Sequence, residues 1–508
     1  MRLLKKMQNK ESCLFILFFV LASLVYLYNI TFSDLWIDET FTKKIIEFPI
    51  PRMLDLLAGD FHPPLYFLVL KAFTTVFGNS NFSIRLFSVI GVLCTFILSY
   101  FAGQRVFGKK GALIFCMAIL SIPMLAANSH NARMYTWAAF SVSGVFLYSF
   151  LYLKIQTKRD LIFLGLMTLI AAYTHYYALI AAFWSNLFVF LYLIAAKKKG
   201  WIAHLAAMVS VLILYLPWIF VFLSQTNAAD KDYYIQSIDI TTILSCYLGP
   251  FVKMFWLEIP SYVMILTMFI LTIISSINVF FKGTNEDKVI LGLALSIYNL
   301  TILTGIVISF VLRPMLMARY VGPILTMLAV PPALFIMRTK IAWLKPALLL
   351  LLLGCGIYLS ISASGISMGP YKQAMEQLRK NHPEVEKIIH ATEVTTGPLL
   401  EYHAIGNWEQ YWLDNDSAVY YTNIDVFTDL HRVPSLEALL SPGEPFCVVD
   451  MGAKITDNPL NRGNLNMMLS RSHLTEIDTI RDARSQSPIA LRFYILEYQD
   501  SALTGEQF

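Results

Sequence analysis

Residues 33–77 read SDLWIDETFTKKIIEFPIPRMLDLLAGDFHPPLYFLVLKAFTTVF. The stretch carries two adjacent carboxylates, Asp38 and Glu39, and a His62-Pro63-Pro64 motif. An apolar run over 12–30 precedes it and another over 82–106 follows. A bilayer crossing needs roughly 20 mostly apolar residues, and both flanks meet that length. The quoted stretch is therefore a polar loop on one face of a membrane, and the fold of the chain follows from that reading.

The composition agrees. The chain has 508 residues, 57% of them hydrophobic and 14% charged, against about 25% charged in an ordinary soluble domain. The net charge of +5 is small and sits mainly in short loops, which gives no support to a nucleic-acid partner. The six cysteines are scattered through apolar runs with neither disulfide-framework nor zinc spacing. Arg2, Lys5 and Lys6 ahead of the first apolar run could open a signal peptide, but no convincing small-residue cleavage site follows, so a retained first helix is expected.

Eleven spans are expected, near 12–30, 82–106, 111–128, 133–153, 160–178, 179–196, 203–223, 261–281, 288–312, 316–337 and 341–360. Basic residues favour cytoplasmic loops, and alternate loops here are basic. They hold Lys5, Lys6 and Lys10, then Arg105, Lys109 and Lys110, then Lys154, Lys158 and Arg159. Lys197 to Lys199, then Lys282 and Lys288, then Arg338, Lys340 and Lys345 continue the series. The intervening loops are poorer in base, as at 228–232. The alternation requires 62–77 and 241–258 to be interfacial helices rather than spans. It puts the N-terminus in the cytoplasm and the C-terminal region outside the cell membrane.

The apolar pattern stops near 360. Residues 1–360 are read as a transmembrane domain whose first outer loop, 31–81, carries interfacial helices, and 361–508 as an extracytoplasmic α/β domain. In the latter a helix is expected over Tyr371–Lys380, with strands over Val385–Thr392, Ala418–Thr422, Phe446–Met451 and Ile489–Tyr498, bounded by turn-forming residues.

The polar groups with chemical potential gather at the outer turns. Asp38 and Glu39 could simply cap a helix, since acidic residues favour helix N-termini. Held against an interfacial apolar surface, one of them could instead be tuned as a general base. His62 is either a cap or a polar group facing a site, beside a Pro pair that starts a helix well. Arg133, in Ala132-Arg133-Met134-Tyr135, begins a span at the end a helix dipole makes unfavourable for a cation. It either serves an anion or snorkels to lipid phosphate. His175, in Tyr173-Thr174-His175-Tyr176, and Arg319 with Tyr320 lie at two further outer turns. Arg313 adds another base at the last of these. An ionisable residue at membrane depth is a functional candidate by default. Carboxylates and His could hold a divalent metal, but no ligand spacing compels one.

Taken in order, Leu35-Trp36-Ile37-Asp38-Glu39, His62-Pro63-Pro64-Leu65-Tyr66, Ser83-Ile84-Arg85-Leu86, Ala132-Arg133-Met134-Tyr135, Tyr173-Thr174-His175-Tyr176 and Ala318-Arg319-Tyr320 resemble a known set. They are similar to the family 39 glycosyltransferases, membrane enzymes of the GT-C type related to protein O-mannosyltransferases and the lipid A aminoarabinose transferase. The resemblance spans roughly residues 12 to 340. It implies an α-helical polytopic GT-C fold with a C-terminal soluble α/β domain. It also implies an inverting hexosyl- or pentosyltransferase that moves a sugar from a polyprenyl-phosphate-linked donor to a glycan, lipid or protein acceptor. By the same resemblance Asp38 is the base with Glu39 beside it, and His62 shapes the acceptor side. Arg133 and Arg319 meet the donor phosphate, with Tyr135, His175 and Tyr320 close by. A transporter or flippase of a lipid-linked or polar substrate is the alternative. Charges are sparse in the middle of the spans, which counts against it. A third reading is a membrane sensor whose outer tail binds a ligand.

Overall fold

The computed structural model describes residues 10–227, 238–250, 259–312, 314–364, 369–390, 393–401, 408–413, 430–451, 468–469, 472–481 and 490–499. The chain forms two compact units: Met1–Ile30 with Leu57–Ser364, and Thr31–Leu56 with Gly365–Phe508. The first loop is thus divided between them.

The helices, in chain order, are α1 (Lys10–Leu27), α2 (Ile37–Ile45), α3 (Ile50–Gly59), α4 (Leu65–Phe77), α5 (Asn81–Phe101), α6 (Gly103–Leu120), α7 (Pro123–Ser129), α8 (Tyr135–Ile155), α9 (Lys158–Thr174), α10 (Tyr176–Ala195), α11 (Gly200–Asn227), α12 (Ile240–Leu248), α13 (Ile259–Lys282) and α14 (Asn285–Val311). A 3₁₀ segment over Ala318–Ala329 leads into α15 (Val330–Arg338), and α16 (Leu344–Ser364) ends the first unit.

Local chemistry sets many of these ends. Ser80 caps α5 by accepting from the Ser83 N–H, and Thr157 caps α9 through Asp160. Thr284 and Asp287 form a reciprocal capping box on α14. Gln156, in the left-handed region at φ 57°, stops α8.

Among the described residues nine helices are long and apolar enough to cross a membrane. The count becomes ten if α6 and α7, bent by 73° at their junction, make one broken span. Every expected span coincides with a helix. The difference in count lies at 160–178, where α9 has 17 residues and Lys158, Arg159 and Asp160 occupy its first turn. Helix α4, with 13 residues, is too short to cross, as the loop pattern requires. Of 241–258, α12 is a short helix, and 251–258 lie outside the described residues, as do 228–232 and Arg313.

Helix α8 is the axis of the first unit, packed against α5, α9, α10 and the 3₁₀ segment. Its core contains Phe96, Phe115, Phe146, Ile297 and Leu325. Large apolar side chains such as Leu17, Phe220, Phe281 and Phe310 point outward, the pattern of a surface solvated by lipid rather than water.

The second unit is built on a six-stranded sheet in the order β3-β2-β1-β4-β6-β5. The strands are β1 (Lys387–His390), β2 (Glu409–Leu413), β3 (His431–Val433), β4 (Pro445–Met451), β5 (Ser472–Arg481) and β6 (Ala490–Tyr498). The β3-β2-β1-β4 half is parallel, and β4, β6 and β5 pair antiparallel. Alternation splits β4 between two cores. Cys447 and Val449 face α17 (Tyr371–Asn381), which buries Tyr371, Ala374, Met375 and Leu378. Phe446 and Val448 face Leu436, Leu440 and Leu496. The expected helix and the strands at 385–392, 446–451 and 489–498 are present within a residue or two at the described ends. Residues 418–422 lie outside the described residues. Strands β2, β3 and β5 and helix α18 (Glu393–Leu400) were not anticipated.

Candidate active site

Between α3 and α4 the chain runs Asp60-Phe61-His62-Pro63-Pro64. Both prolines are buried and Pro64 is the N-cap of α4, so ring-locked φ angles fix the backbone just after His62. Gln225, near the end of α11, fixes the other flank. Its Nε2 donates to the carbonyls of Leu57 (3.2 Å), Ala58 (3.1 Å) and Asp60. Its Oε1 accepts from the Tyr176 hydroxyl, which in turn accepts from Trp218 Nε1 at 3.2 Å.

With both flanks held, His62 bridges two opposite charges. Its Nδ1 is 2.6 Å from Asp60 Oδ2, and its Nε2 is 2.7 Å from Arg133 Nη2. A guanidinium only donates, so Nε2 accepts and the ring proton sits on Nδ1, donated to Asp60. Burial by itself would raise the Asp60 carboxyl, but His62 and Arg133 prevail and hold it below the usual carboxylate range. Asp60 is therefore ionised at neutral pH, and the assembly is an Asp–His–Arg relay with balanced charge.

Arg133 is 3% exposed. It precedes α8, the helix end that disfavours a cation, and the ionised Asp60 behind His62 offsets that cost. Ser88 on α5 donates to the Asn131 carbonyl at 2.7 Å, which pins the turn that carries Arg133.

A second cluster adjoins this one. His175, 5% exposed, sits between α9 and α10 and caps α10 by accepting from the Tyr177 N–H at 3.1 Å. Its ring is 5.6 Å from that of Tyr135 and 5.8 Å from that of Tyr320. Tyr177 lies 5.4 Å from Tyr320 and donates to the Met315 carbonyl at 3.0 Å. The Arg319 guanidinium stands 5.5 Å from the Tyr320 ring centre, within cation–π range. His62, Arg133 and Arg319 all lie within electrostatic reach of His175. The first unit thus brings together six of the residues singled out in the sequence: His62, Arg133, Tyr135, His175, Arg319 and Tyr320. It adds Asp60, Gln225 and Tyr177, which the sequence reading missed.

Asp38 and Glu39 belong to the second unit, in the first turn of α2. Glu39 is buried and Asp38 half-buried. The helix is fixed by an ion pair from Lys43 to Glu401 and by Ile37 packing with Leu400, Trp412 and Leu430. Just upstream, Asp34 Oδ2 accepts from the Lys372 N–H at 2.9 Å.

Residues 61–221 match the family described as dolichyl-phosphate-mannose-protein mannosyltransferase. Over 97% of this chain and 99% of the other, the fold is similar to ArnT from Cupriavidus metallidurans bound to undecaprenyl phosphate, with a TM-score of 0.58 and 14% identity. The apo form of the same protein gives 0.56 and 13% over the same shares. The fold is of the GT-C glycosyltransferase type. The family 39 resemblance read from the motifs is borne out, and the matched segment begins one residue before His62 and includes Arg133, Tyr135 and His175. No curated protein sequence matches this one.

The metal question has one geometric answer among the described residues. His382, Glu476 and Asp478, all in the second unit, place ligand atoms within 4.8 Å of one another. His382 Nε2 is 3.1 Å from Asp478 Oδ2, a contact an ordinary His–carboxylate pair explains. Neither Asp38 nor Glu39 takes part in such a group.

Proposed function

We propose that the protein is an integral membrane enzyme that moves a sugar from a polyprenyl-phosphate-linked donor to an acceptor hydroxyl at the outer face of the membrane. The observation that carries this reading is Arg133: a nine-tenths-buried cation at the mouth of a helix, held by His62 and Asp60, with Arg133 and Arg319 both within electrostatic reach of His175. Fixed cations in a low-dielectric setting suit a leaving group that gains charge as its bond breaks. The ArnT structure of like fold is described as bound to undecaprenyl phosphate, which supports a lipid-phosphate donor here.

In the proposed reaction Asp38 takes the proton of the acceptor hydroxyl. The acceptor oxygen attacks the anomeric carbon, and the bond from that carbon to the phosphate oxygen breaks. The electron pair leaves with the polyprenyl phosphate, whose added negative charge Arg133 and Arg319 neutralise. A single displacement inverts the anomeric centre. Glu39 stands beside the base, and Tyr135, His175 and Tyr320 line the donor side. The N-terminus is cytoplasmic and the second unit extracytoplasmic, following the basic-loop alternation.

The test is transfer from a radiolabelled polyprenyl-phosphate sugar by purified protein. Asp38→Asn should lower turnover by about 10²- to 10⁴-fold, the usual worth of a general base, with the donor still bound. Normal turnover by that variant would remove Asp38 from the mechanism.

A further inference from the structure

At the opposite end of the first unit lies a cavity of about 340 Å³, inside the roughly 300–1,000 Å³ range of small-ligand pockets. Helix α8 fixes its place. Arg133 and Tyr135 stand at one end of that helix and Lys154 at the other, 21 residues or roughly 30 Å apart. The cavity therefore belongs to the membrane face away from the candidate active site.

Its polar wall comes from Lys110, two residues past the break at Gly108 within α6, and from the helix ends that bring Lys154 of α8, Glu286 and Asp287 of α14, Arg338 of α15 and Lys345 of α16. Four cations against two carboxylates leave an excess of two positive charges. The carboxylates are already engaged. Arg338 donates to Asp287 Oδ1 from Nη2 at 2.8 Å and from Nε at 3.1 Å, and Lys154 pairs with Glu286. The Asp287 carboxylate is also fixed by the capping box with Thr284. Lys110 is largely exposed and makes a long ion pair with Glu11, 4.0 Å apart, without a hydrogen bond. Of the four cations, Lys110 and Lys345 are the two that are not paired with a carboxylate of the cavity wall.

Below the bases the wall is apolar, formed by Ile114, Ile290 and Leu334, and it runs into the membrane-spanning part of α6 and α14. Trp343, 71% exposed, stands two residues before Lys345, where an indole marks the headgroup level of a bilayer. A phosphate held by two lysines, with an apolar wall continuing toward the hydrocarbon, is the chemistry of a phospholipid and not of a free anion.

We propose that this cavity binds the headgroup of an anionic phospholipid through Lys110 and Lys345. The placement uses only the first unit and stands whether or not the transfer reaction above is correct.

The experiment titrates phosphatidylglycerol, phosphatidylcholine and inorganic phosphate separately into the full-length protein in neutral detergent, reading bound lipid by native mass spectrometry and stability by thermal shift. Phosphatidylglycerol should be retained and stabilising. Lys110→Gln with Lys345→Gln should weaken it on the order of tenfold or more. Lys158→Gln with Lys199→Gln, which removes two exposed charges outside the cavity, should not. Lys110→Arg with Lys345→Arg should restore retention, which separates loss of charge from loss of fold. Equal retention of both lipids, equal loss in both Gln pairs, or the same lysine-dependent shift from inorganic phosphate alone would each overturn the proposal.

Discussion

Replacing Asp60 with Asn leaves the shape of the loop and removes the carboxylate charge that faces Arg133 through His62. The amide can still meet His62 Nδ1, but it no longer offsets the buried guanidinium, so the His–Arg contact loosens. Turnover of Asp60→Asn should fall by about 10- to 100-fold with the donor bound more weakly, since an oriented cation is what such sites lose first. The charge has a pH signature as well. The folded carboxyl is held below its ordinary value, so its contribution to stability is fully present above about pH 4 and is lost as pH falls further through the lowered value. Thermal unfolding of wild type and Asp60→Asn should therefore differ at pH 7 and converge in strong acid. A constant gap would sink the relay. Asp60 escaped the sequence reading because a lone aspartate before Phe-His-Pro-Pro looks like a turn former. Its partner Arg133 is 73 residues away, and no local pattern announces a pairing at that distance. Arg133 itself was legible, because a cation at a helix N-terminus is a local misfit that asks for an explanation.

At the scale of elements, the long apolar runs carried nearly all the information, because a bilayer imposes a minimum length that few other structures share. They did not reveal how the run at 316–337 is wound. Pro323 sits inside it and Pro331 and Pro332 follow, and the first half is a 3₁₀ segment rather than α-helix. Gly322 lies in that half, against α8. A Cβ there would come within 3.1 Å of Tyr135 Cδ1 and 3.2 Å of Asn128 Nδ2, so an added methyl must displace the aromatic ring beside His175. Gly322→Ala should cost about 1–3 kcal/mol, the usual range for overpacking, and should reduce donor affinity through Tyr135. Gly354→Ala, on α16 with nothing within 4 Å of the new atom, should be neutral or slightly stabilising. If the two variants melt alike, close packing of the 3₁₀ segment on α8 does not govern the site. In the sheet the unread elements have a shared cause. β2 and β3 have five and three residues, too short to show alternation, and β5 carries Thr and Asp among its apolar positions as an exposed edge.

Among the described residues each of the two units has apolar cores of its own, among the spanning helices in the first and on both faces of the sheet in the second. The apolar pattern ends near 360, and the first unit ends at Ser364. That 31–56 folds with the tail was not legible, because association of segments more than 300 residues apart leaves no periodicity to read. Separate cores mean that acid can loosen one unit ahead of the other, and His390 on β1 supplies the means. It is buried, its Nε2 lies 2.7 Å from Gln410 Oε1 on β2, and burial lowers its pKa to about 4 despite that hydrogen bond. An unfolded histidine titrates near 6.5. Between those values the unfolded chain takes up a proton that the folded unit refuses, so stability falls as pH drops from about 6.5 toward 4 and is flat above that window. Glu444, held low by Lys387 against the burial that would raise it, adds its own loss only below the ordinary carboxylate range. Hydrogen exchange should show β1, β2 and β4 losing protection between pH 6.5 and 5 while α8 and α14 keep theirs. His390→Gln should flatten that dependence. Equal slopes in wild type and variant would show that the acid sensitivity of the sheet resides elsewhere.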